Sequence, residues 1–318
     1  MVGALRNTLN SGDLPHLLFY GPPGTGKTST ILAVARELYG PELMKSRILE
    51  LNASHERGID MIRTKVKTFA QIAVSSTETA PGYPCPPYKI IILDEADCMT
   101  RDAQSALRRT MENYTKVTRF CIICNYVSRI IDPITSRCAK FRYKPLQGPS
   151  MALRLRKICV AEGRSVSDEA LELLMRVSDG DMRKSITLLQ VANKLVAPDE
   201  PLGVDTIHEV AGSVPAAVIG SLWASTEPAK DVSAVQSAVH ECVLAGYSAE
   251  AILQQLSPKI ASVAGLQDTG RAQIAIRMAD AESKLLEGAD EELQLIDVLT
   301  VVKHARRKAM GHSAAEKF

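Results

Sequence analysis

The segment Gly21-Pro22-Pro23-Gly24-Thr25-Gly26-Lys27-Thr28 constrains this chain more than any other feature, because it fits G-x-x-x-x-G-K-[ST] at every fixed position. Glycines there let backbone N–H groups turn inward around phosphate oxygens, where a side chain would block the approach. Lys27 is then placed to reach the β- and γ-phosphates, and the Thr28 hydroxyl to take Mg2+. Such a motif carries weight when it lies between a strand and a helix. The apolar run His16–Tyr20 precedes it, and Thr28–Tyr39 has helical spacing closed by Gly40-Pro41. The positive end of that helix points at the same anion.

A second segment completes the pattern. Ile90-Ile91-Ile92-Leu93 is four consecutive apolar residues, as in a strand buried on both faces, and it delivers Asp94 and Glu95 at its C-terminal end. Ligands of open α/β sheets bind at that edge. Asp94 is expected to be the acid on the Mg2+ side and Glu95 the group that polarises an attacking water.

Around these two segments, apolar runs alternate with helical patterns, the mark of a parallel sheet wrapped by helices. Strands are expected at His16–Tyr20, Arg47–Leu51, Lys89–Leu93, Arg119–Cys124 and near Ala139–Tyr143. Helices are expected at Thr28–Tyr39, Ile59–Ala73 and Arg101–Glu112, with a surface loop over Ser75–Pro87. After Pro145 the strand signals stop. Ser150–Glu162, Ser167–Ser178 and Met182–Leu195 read as amphipathic helices, the second with Ser167 as its N-cap. Ala197–Gly203 reads as a linker, and the rest is helical to a basic stretch at Lys303–Lys308. The fold class is therefore a P-loop α/β domain over 1–145 followed by two helical domains, over 146–198 and 199–318.

Bulk properties narrow the functional classes. A chain of 318 residues suits two or three domains, and 46% hydrophobic residues suffice to bury their cores. The net charge of +2 is no magnet for nucleic acid, so any DNA contact must come from a local set of basic residues. No apolar run approaches the length of a membrane span, and nothing at the N-terminus reads as a secretion signal. The seven cysteines form no regular framework, which fits free thiols in a reducing compartment. Cys121 and Cys124 are three apart in a strand and so point to opposite faces, which argues against a metal or redox pair.

The residues now resemble one family. Gly21–Thr28, Leu51-Asn52-Ala53-Ser54, Glu56-Arg57-Gly58-Ile59, Leu93-Asp94-Glu95-Ala96-Asp97, Thr118-Arg119-Phe120, Asn125, Ser136-Arg137-Cys138 and Gly180-Asp181-Met182-Arg183 occur in the order seen in small subunits of the replication factor C clamp loader, a group of AAA+ ATPases. The segments Tyr126–Pro133 and Ala80–Pro87 point to one subunit type within it. The resemblance implies that Asn125 is sensor 1, helping Glu95 place the water, and that Arg183 is sensor 2. It implies that Arg137 is an arginine finger acting in trans on the neighbouring subunit's ATP. Arg57 and Arg63, with Arg129 joining them, are expected to face duplex DNA and track one backbone. The implied partners are the other replication factor C subunits, the PCNA sliding clamp and primer–template DNA, with no membrane, in the nucleus. Ring assembly, clamp opening and ATP-triggered release are the implied mechanism.

Two departures accompany the resemblance. His55 stands where the family has Asp, and the family carries an adenine-packing segment ahead of the phosphate-loop strand, before the point where this sequence starts, so reduced ATP affinity is expected. Three alternatives stay open. Asp94-Glu95-Ala96-Asp97 spells a DEAD-box helicase signature, but a second sheet domain is absent from the pattern. Another AAA+ remodeller or Holliday-junction motor, or an architectural subunit without productive hydrolysis, would also carry the phosphate loop.

Overall fold

The computed structural model describes Leu5 and residues 14–54, 60, 62–72, 80–197, 200–263 and 266–315, with Arg63 and residues 310–315 described by their backbone alone. His55, Arg57 and Ile59 lie outside the described residues. By contacts the chain divides into two compact units, Met1–Ala161 with Ser178–Thr187, and Glu162–Val177 with Leu188–Phe318.

The first unit is built on strand β1 (His16–Tyr20), helix α1 (Lys27–Arg47), β2 (Ile48–Asn52), a π-helical turn at Ile62–Val66 running into α2 (Lys67–Gln71), β3 (Lys89–Asp94), α3 (Arg101–Tyr114), β4 (Thr118–Cys124), the short α4 (Asp132–Thr135), β5 (Cys138–Arg142) and α5 (Gly148–Ala161). The strands form one parallel sheet in the order β2-β3-β4-β1-β5. Alternate residues of the apolar strands feed different cores. Leu18, Ile91, Leu93, Phe120 and Ile122 pack with Ala103, Leu107 and Met111 of α3. Leu17, Phe19, Ile90, Ile92 and Ile123 pack with Ile31, Val34 and Leu38 of α1. Both faces are thus covered, which is why the strands read as unbroken apolar runs.

That strand order creates the site. From β1 the chain crosses to β2 on one side, whereas from β4, its neighbour, the chain crosses back over β1 to β5 on the other. The connections leaving β1 and β4 therefore part at their C-terminal ends and open a crevice there.

Some boundaries differ from the sequence reading. Helix α1 continues past Gly40-Pro41 to Arg47, with the break confined to Gly40 (φ 67°, ψ 176°). Proline fits there because the first turn after a break needs no N–H from it. The stretch expected as one helix over Ile59–Ala73 is a π turn and a short α-helix where described, yet Ile62, Val66 and Ala70 still share a buried face. The buried Lys89 Nζ ends it by donating to Phe69 O at 2.6 Å while lying 4.4 Å from the Phe69 ring.

In the second unit, α6 (Asp168–Ser178) is capped as the sequence suggests, Ser167 Oγ accepting from Ala170 N at 3.2 Å. Helix α7 (Met182–Leu195) begins in the first unit and continues into the second. There follow α8 (Val204–Ala211), α9 (Ala216–Ser225), α10 (Val232–Leu244), α11 (Ala249–Ala261), α12 (Asp268–Leu286) and α13 (Glu291–Ala315). Their core takes residues at helical spacing, such as Val235, Val239 and Cys242, or Ile274, Met278 and Ala281. Trp223 packs against that core and the Arg306 guanidinium lies 4.4 Å from its ring. Lys303 and Arg306 of the basic C-terminal stretch are spent internally, on the carbonyls of Glu227, Lys230 and Asp231 and on Trp223 O and Thr226 Oγ1. Among the described residues no helix is long and apolar enough to cross a membrane.

Candidate active site

Strand β1 ends at Tyr20, and the next eight residues are the phosphate loop. Three of its glycines have positive φ: Gly21 (143°), Gly24 (66°) and Gly26 (89°). The reasons differ. A Cβ on Gly21 would lie 2.2 Å from Tyr143 O, and one on Gly24 would lie 1.7 Å from Asp181 Oδ1. Gly26 faces open space, so there the backbone conformation alone demands glycine. Pro22 O accepts from the Thr25 hydroxyl at 2.9 Å, which tightens the turn; Pro23 sits inside it and lacks an N–H.

Lys27 opens α1 and is buried. Its ammonium donates to Gly21 O at 2.7 Å, Pro22 O at 2.8 Å and Asn125 Oδ1 at 2.9 Å, one acceptor for each of its three N–H groups. Burial pulls the ammonium below the usual lysine range; the Asp94 carboxylate opposes that shift and the Arg183 guanidinium adds to it. Thr28 Oγ1 donates to Asp94 Oδ2 at 2.6 Å, while Asp94 Oδ1 accepts from Glu95 N at 2.8 Å. Glu95 itself is left-handed (φ 53°, ψ 37°), a conformation non-glycine residues seldom hold and one that concentrates at functional sites.

The expected site residues fall into two groups by position. Gly21 to Thr28, Asp94, Glu95 and Asn125 meet at the C-terminal edge of β1, β3 and β4, and Arg183, in the first turn of α7, is close enough to be felt at Lys27. Arg137 stands elsewhere. It immediately precedes β5, which runs parallel to β1 with Tyr20 opposite Arg142, so it lies at the opposite edge of the sheet from the phosphate loop. Five strand residues separate the two edges, roughly 16 Å. There Arg137 Nη2 pairs with Glu112 Oε1 at 2.6 Å and Nη1 donates to Pro133 O at 2.6 Å. Arg129 ends a single turn after β4, exposed, with its guanidinium 5.2 Å from the ring of exposed Tyr126. Arg63 belongs to the π turn, its side chain outside the described atoms, and Arg57 lies outside the described residues.

The residues fit a nucleotide with a magnesium ion. A hydroxyl and a carboxylate side by side are hard oxygen donors of the kind Mg2+ takes, together with substrate phosphates and water. No cluster of three or more His, Cys, Asp or Glu among the described residues offers an all-protein metal cage, which is the usual situation for that ion. Cys121 and Cys124 belong to different cores on opposite sheet faces, as their spacing in a strand implies.

Sequence reasoning assigned no role to Asp97 or Asp181. Asp97 Oδ2 accepts from both Asn125 N and Tyr126 N at 3.3 Å. Asp181 Oδ1 accepts from Arg183 N at 2.8 Å and Lys184 N at 3.0 Å, capping α7, and Met182 N donates to Gly24 O at 3.2 Å. An Asp directly before the first residue of a helical pattern is a capping signal, so Asp181 was legible in principle. Asp97 was not, because its partners are 28 and 29 residues away.

Residues 17–146 match the ATPase family associated with various cellular activities (AAA), and residues 214–301 match the replication factor C C-terminal domain. Replication factor C subunit 2 of Schizosaccharomyces pombe is 50% identical over 301 residues, 95% of this chain and 87% of that protein. Replication factor C subunit 4 of Homo sapiens is 49% identical over 302 residues, 95% of this chain and 82% of that protein. A solved structure of Thermotoga maritima RuvB superposes with a TM-score of 0.51 at 16% identity, covering 80% of this chain and 85% of its own, and shows the shared fold alone. The subunit type numbered 4 in vertebrates and 2 in yeast, to which Tyr126–Pro133 and Ala80–Pro87 point, is the type of these relatives. With about half of its residues identical to theirs over nearly its whole length, this chain belongs to the replication factor C small-subunit family of clamp-loader AAA+ ATPases.

Proposed function

We propose that this chain binds ATP with Mg2+ in the β1–β4 crevice and hydrolyses it as one subunit of a five-subunit loader that opens PCNA and places it on primer–template DNA in the nucleus. In this reading residues 1–145 form the nucleotide domain, 146–198 the lid and 199–318 the collar that joins the ring. Gly21, Pro22, Pro23, Gly24, Thr25, Gly26 and Lys27 would cradle the phosphates, and Thr28 and Asp94 would hold Mg2+, which would supply charge neutralisation to the transferring phosphate. Glu95 accepts the proton of the attacking water. Asn125 helps Glu95 place that water, and Arg183 reads the nucleotide from the lid. Arg57, Arg63 and Arg129 hold the DNA backbone.

The observation that carries the reading is the position of Arg137. A side chain at the far edge of the sheet, tied to Glu112, is aimed away from its own phosphate loop and suits a finger for the next subunit's ATP. Each site is then complete only in the ring, and a finger contributes about 10³- to 10⁵-fold in rate. The test is steady-state ATP turnover of the chain alone and after reconstitution with four other loader subunits, PCNA and primed DNA, for wild type and Glu95→Gln. Near-zero turnover alone, rising in the assembly and partly lost in Glu95→Gln, is expected. Equal turnover alone and assembled overturns completion in trans, and no contribution in the assembly means an architectural subunit.

A further inference from the structure

We propose that Asp97 is a positioning residue for hydrolysis: its carboxylate ties the turn after β3 to the start of the loop after β4 and so holds the Asn125 amide at the reaction centre. The local geometry explains how a residue beyond the catalytic acids can do this. Glu95 turns left-handed, and the single 3-10 turn Ala96–Cys98 follows, closed by Cys98 N donating to Glu95 O at 2.9 Å and Met99 N to Ala96 O at 3.1 Å. The turn folds the chain back over the end of neighbouring β4 and points the Asp97 carboxylate at it.

There one oxygen, Oδ2, receives the N–H groups of two successive residues, Asn125 and Tyr126, each at 3.3 Å. β4 ends at Cys124, still opposite Tyr20 of β1, but on the side facing β3 its ladder stops at Leu93 opposite Ile122. Backbone donors just past a strand's end have lost their ladder, and a carboxylate accepting two of them fixes the direction in which the chain leaves the sheet. The next atoms along are those of the Asn125 side chain, whose Oδ1 takes a hydrogen from Lys27 Nζ at 2.9 Å. Asp97, Asn125 and Lys27 therefore form a continuous chain of contacts from the β3 turn to the phosphate loop. Asp94, at the end of β3, and Glu95 sit three and two residues upstream, so one short segment sets both the acid that activates water and the amide that orients it.

Such a tie affects the reaction through geometry. A displacement of about 1 Å at a reacting centre can cost about a hundredfold in rate while leaving binding nearly intact. The inference rests on Asn125 acting in hydrolysis, and the experiment separates the two. In the reconstituted loader with PCNA and primed DNA, the turnover of this site is taken as the difference from Glu95→Gln. Asp97→Ala, Asp97→Asn, Asn125→Ala and the double variant Asp97→Ala/Asn125→Ala are compared, with the affinity of each isolated chain for a fluorescent ATP analogue measured alongside.

Asp97→Ala is expected to lower the site's kcat by between about tenfold and a hundredfold, with analogue affinity within about threefold of wild type, a loss in turnover rather than in binding. Asp97→Asn, whose amide oxygen can still accept both N–H groups, is expected to recover most of the rate. In the Asn125→Ala background, removing Asp97 is expected to add little, because a residue acting through another shows strong coupling. Independent, multiplicative losses overturn the proposal, as does a parallel fall in analogue affinity, or Asp97→Asn being as damaged as Asp97→Ala. If Asn125→Ala alone leaves turnover unchanged, the role given to Asn125 fails and the positioning role falls with it. If Asn125→Ala slows turnover and Asp97→Ala does not, the failure belongs to Asp97 alone.

Discussion

Gly24 and His16 illustrate how much single positions contribute at opposite edges of the same strand. At Gly24 the positive φ strains any side chain, and a Cβ would also lie 1.7 Å from Asp181 Oδ1, so the carboxylate that caps α7 would have to move. Gly24→Ala is therefore expected to weaken nucleotide affinity by more than about tenfold, whereas Gly26→Ala, facing open space, carries mainly a conformational cost of about 1 kcal/mol. Titration with a fluorescent nucleotide separates them; equal effects would mean that Asp181 does not set the loop. At the N-terminal edge of β1, His16 Nδ1 accepts from Phe120 N at 3.1 Å inside the sheet. Burial, and then the Arg119 guanidinium, push its pKa down from 6.5 to about 4. The unfolded chain binds this proton before the folded chain does, so stability is full above pH 6.5 and is lost as pH falls toward 4. Thermal melts should fall more steeply over that window for wild type than for His16→Gln, which keeps an acceptor but does not titrate.

Among the elements, the short segment α2 depends on a distant strand for its end. Lys89 is buried at the start of β3, and burial lowers its pKa, yet its ammonium holds Phe69 O. Lys89→Met keeps the apolar stem and removes the donor. Amide hydrogen exchange over Lys67–Gln71 is expected to accelerate while that of β3 stays slow, since a released helix end frays before a central strand does. Unchanged exchange at Lys67–Gln71 would show that packing of Val66 and Ala70 alone defines the helix. Element placement also separates Arg137 from this chain's own phosphate loop. Arg137→Ala is expected to reduce ATP turnover in the assembled loader by at least about a thousandfold at the site it serves, with nucleotide affinity of the isolated chain unchanged. A fall in the isolated chain's affinity would contradict the edge-to-edge separation.

At the scale of the whole molecule, the helical second unit has its own core, independent of the nucleotide site. Leu256 and Val298 are fully buried in it. Leu256→Ala is expected to destabilise that core by about 2–5 kcal/mol and to weaken ring assembly, while the isolated chain still binds nucleotide. Size-exclusion chromatography of the reconstituted complex, beside a nucleotide titration, checks this. Loss of nucleotide binding in step with assembly would mean that the two units do not fold separately.

What the sequence determined by itself was local and chemical. The phosphate loop, the Ile90–Glu95 strand with its two acids, the five strands and most helices follow from glycine chemistry and apolar periodicity, which act over a few residues. The helix boundary past Gly40-Pro41 and the π turn at Ile62–Val66 were not legible, because a proline after a break and an i→i+5 turn preserve the same apolar pattern as their alternatives. Tertiary structure decided what depends on strand order: that Asn125 meets Lys27, that Asp97 reaches across from β3 to β4, that Asp181 lies on Gly24, and that Arg137 stands at the far edge of the sheet. Each of these pairs is distant in the chain, and local propensity carries no information about which strands become neighbours or which of their ends face the ligand.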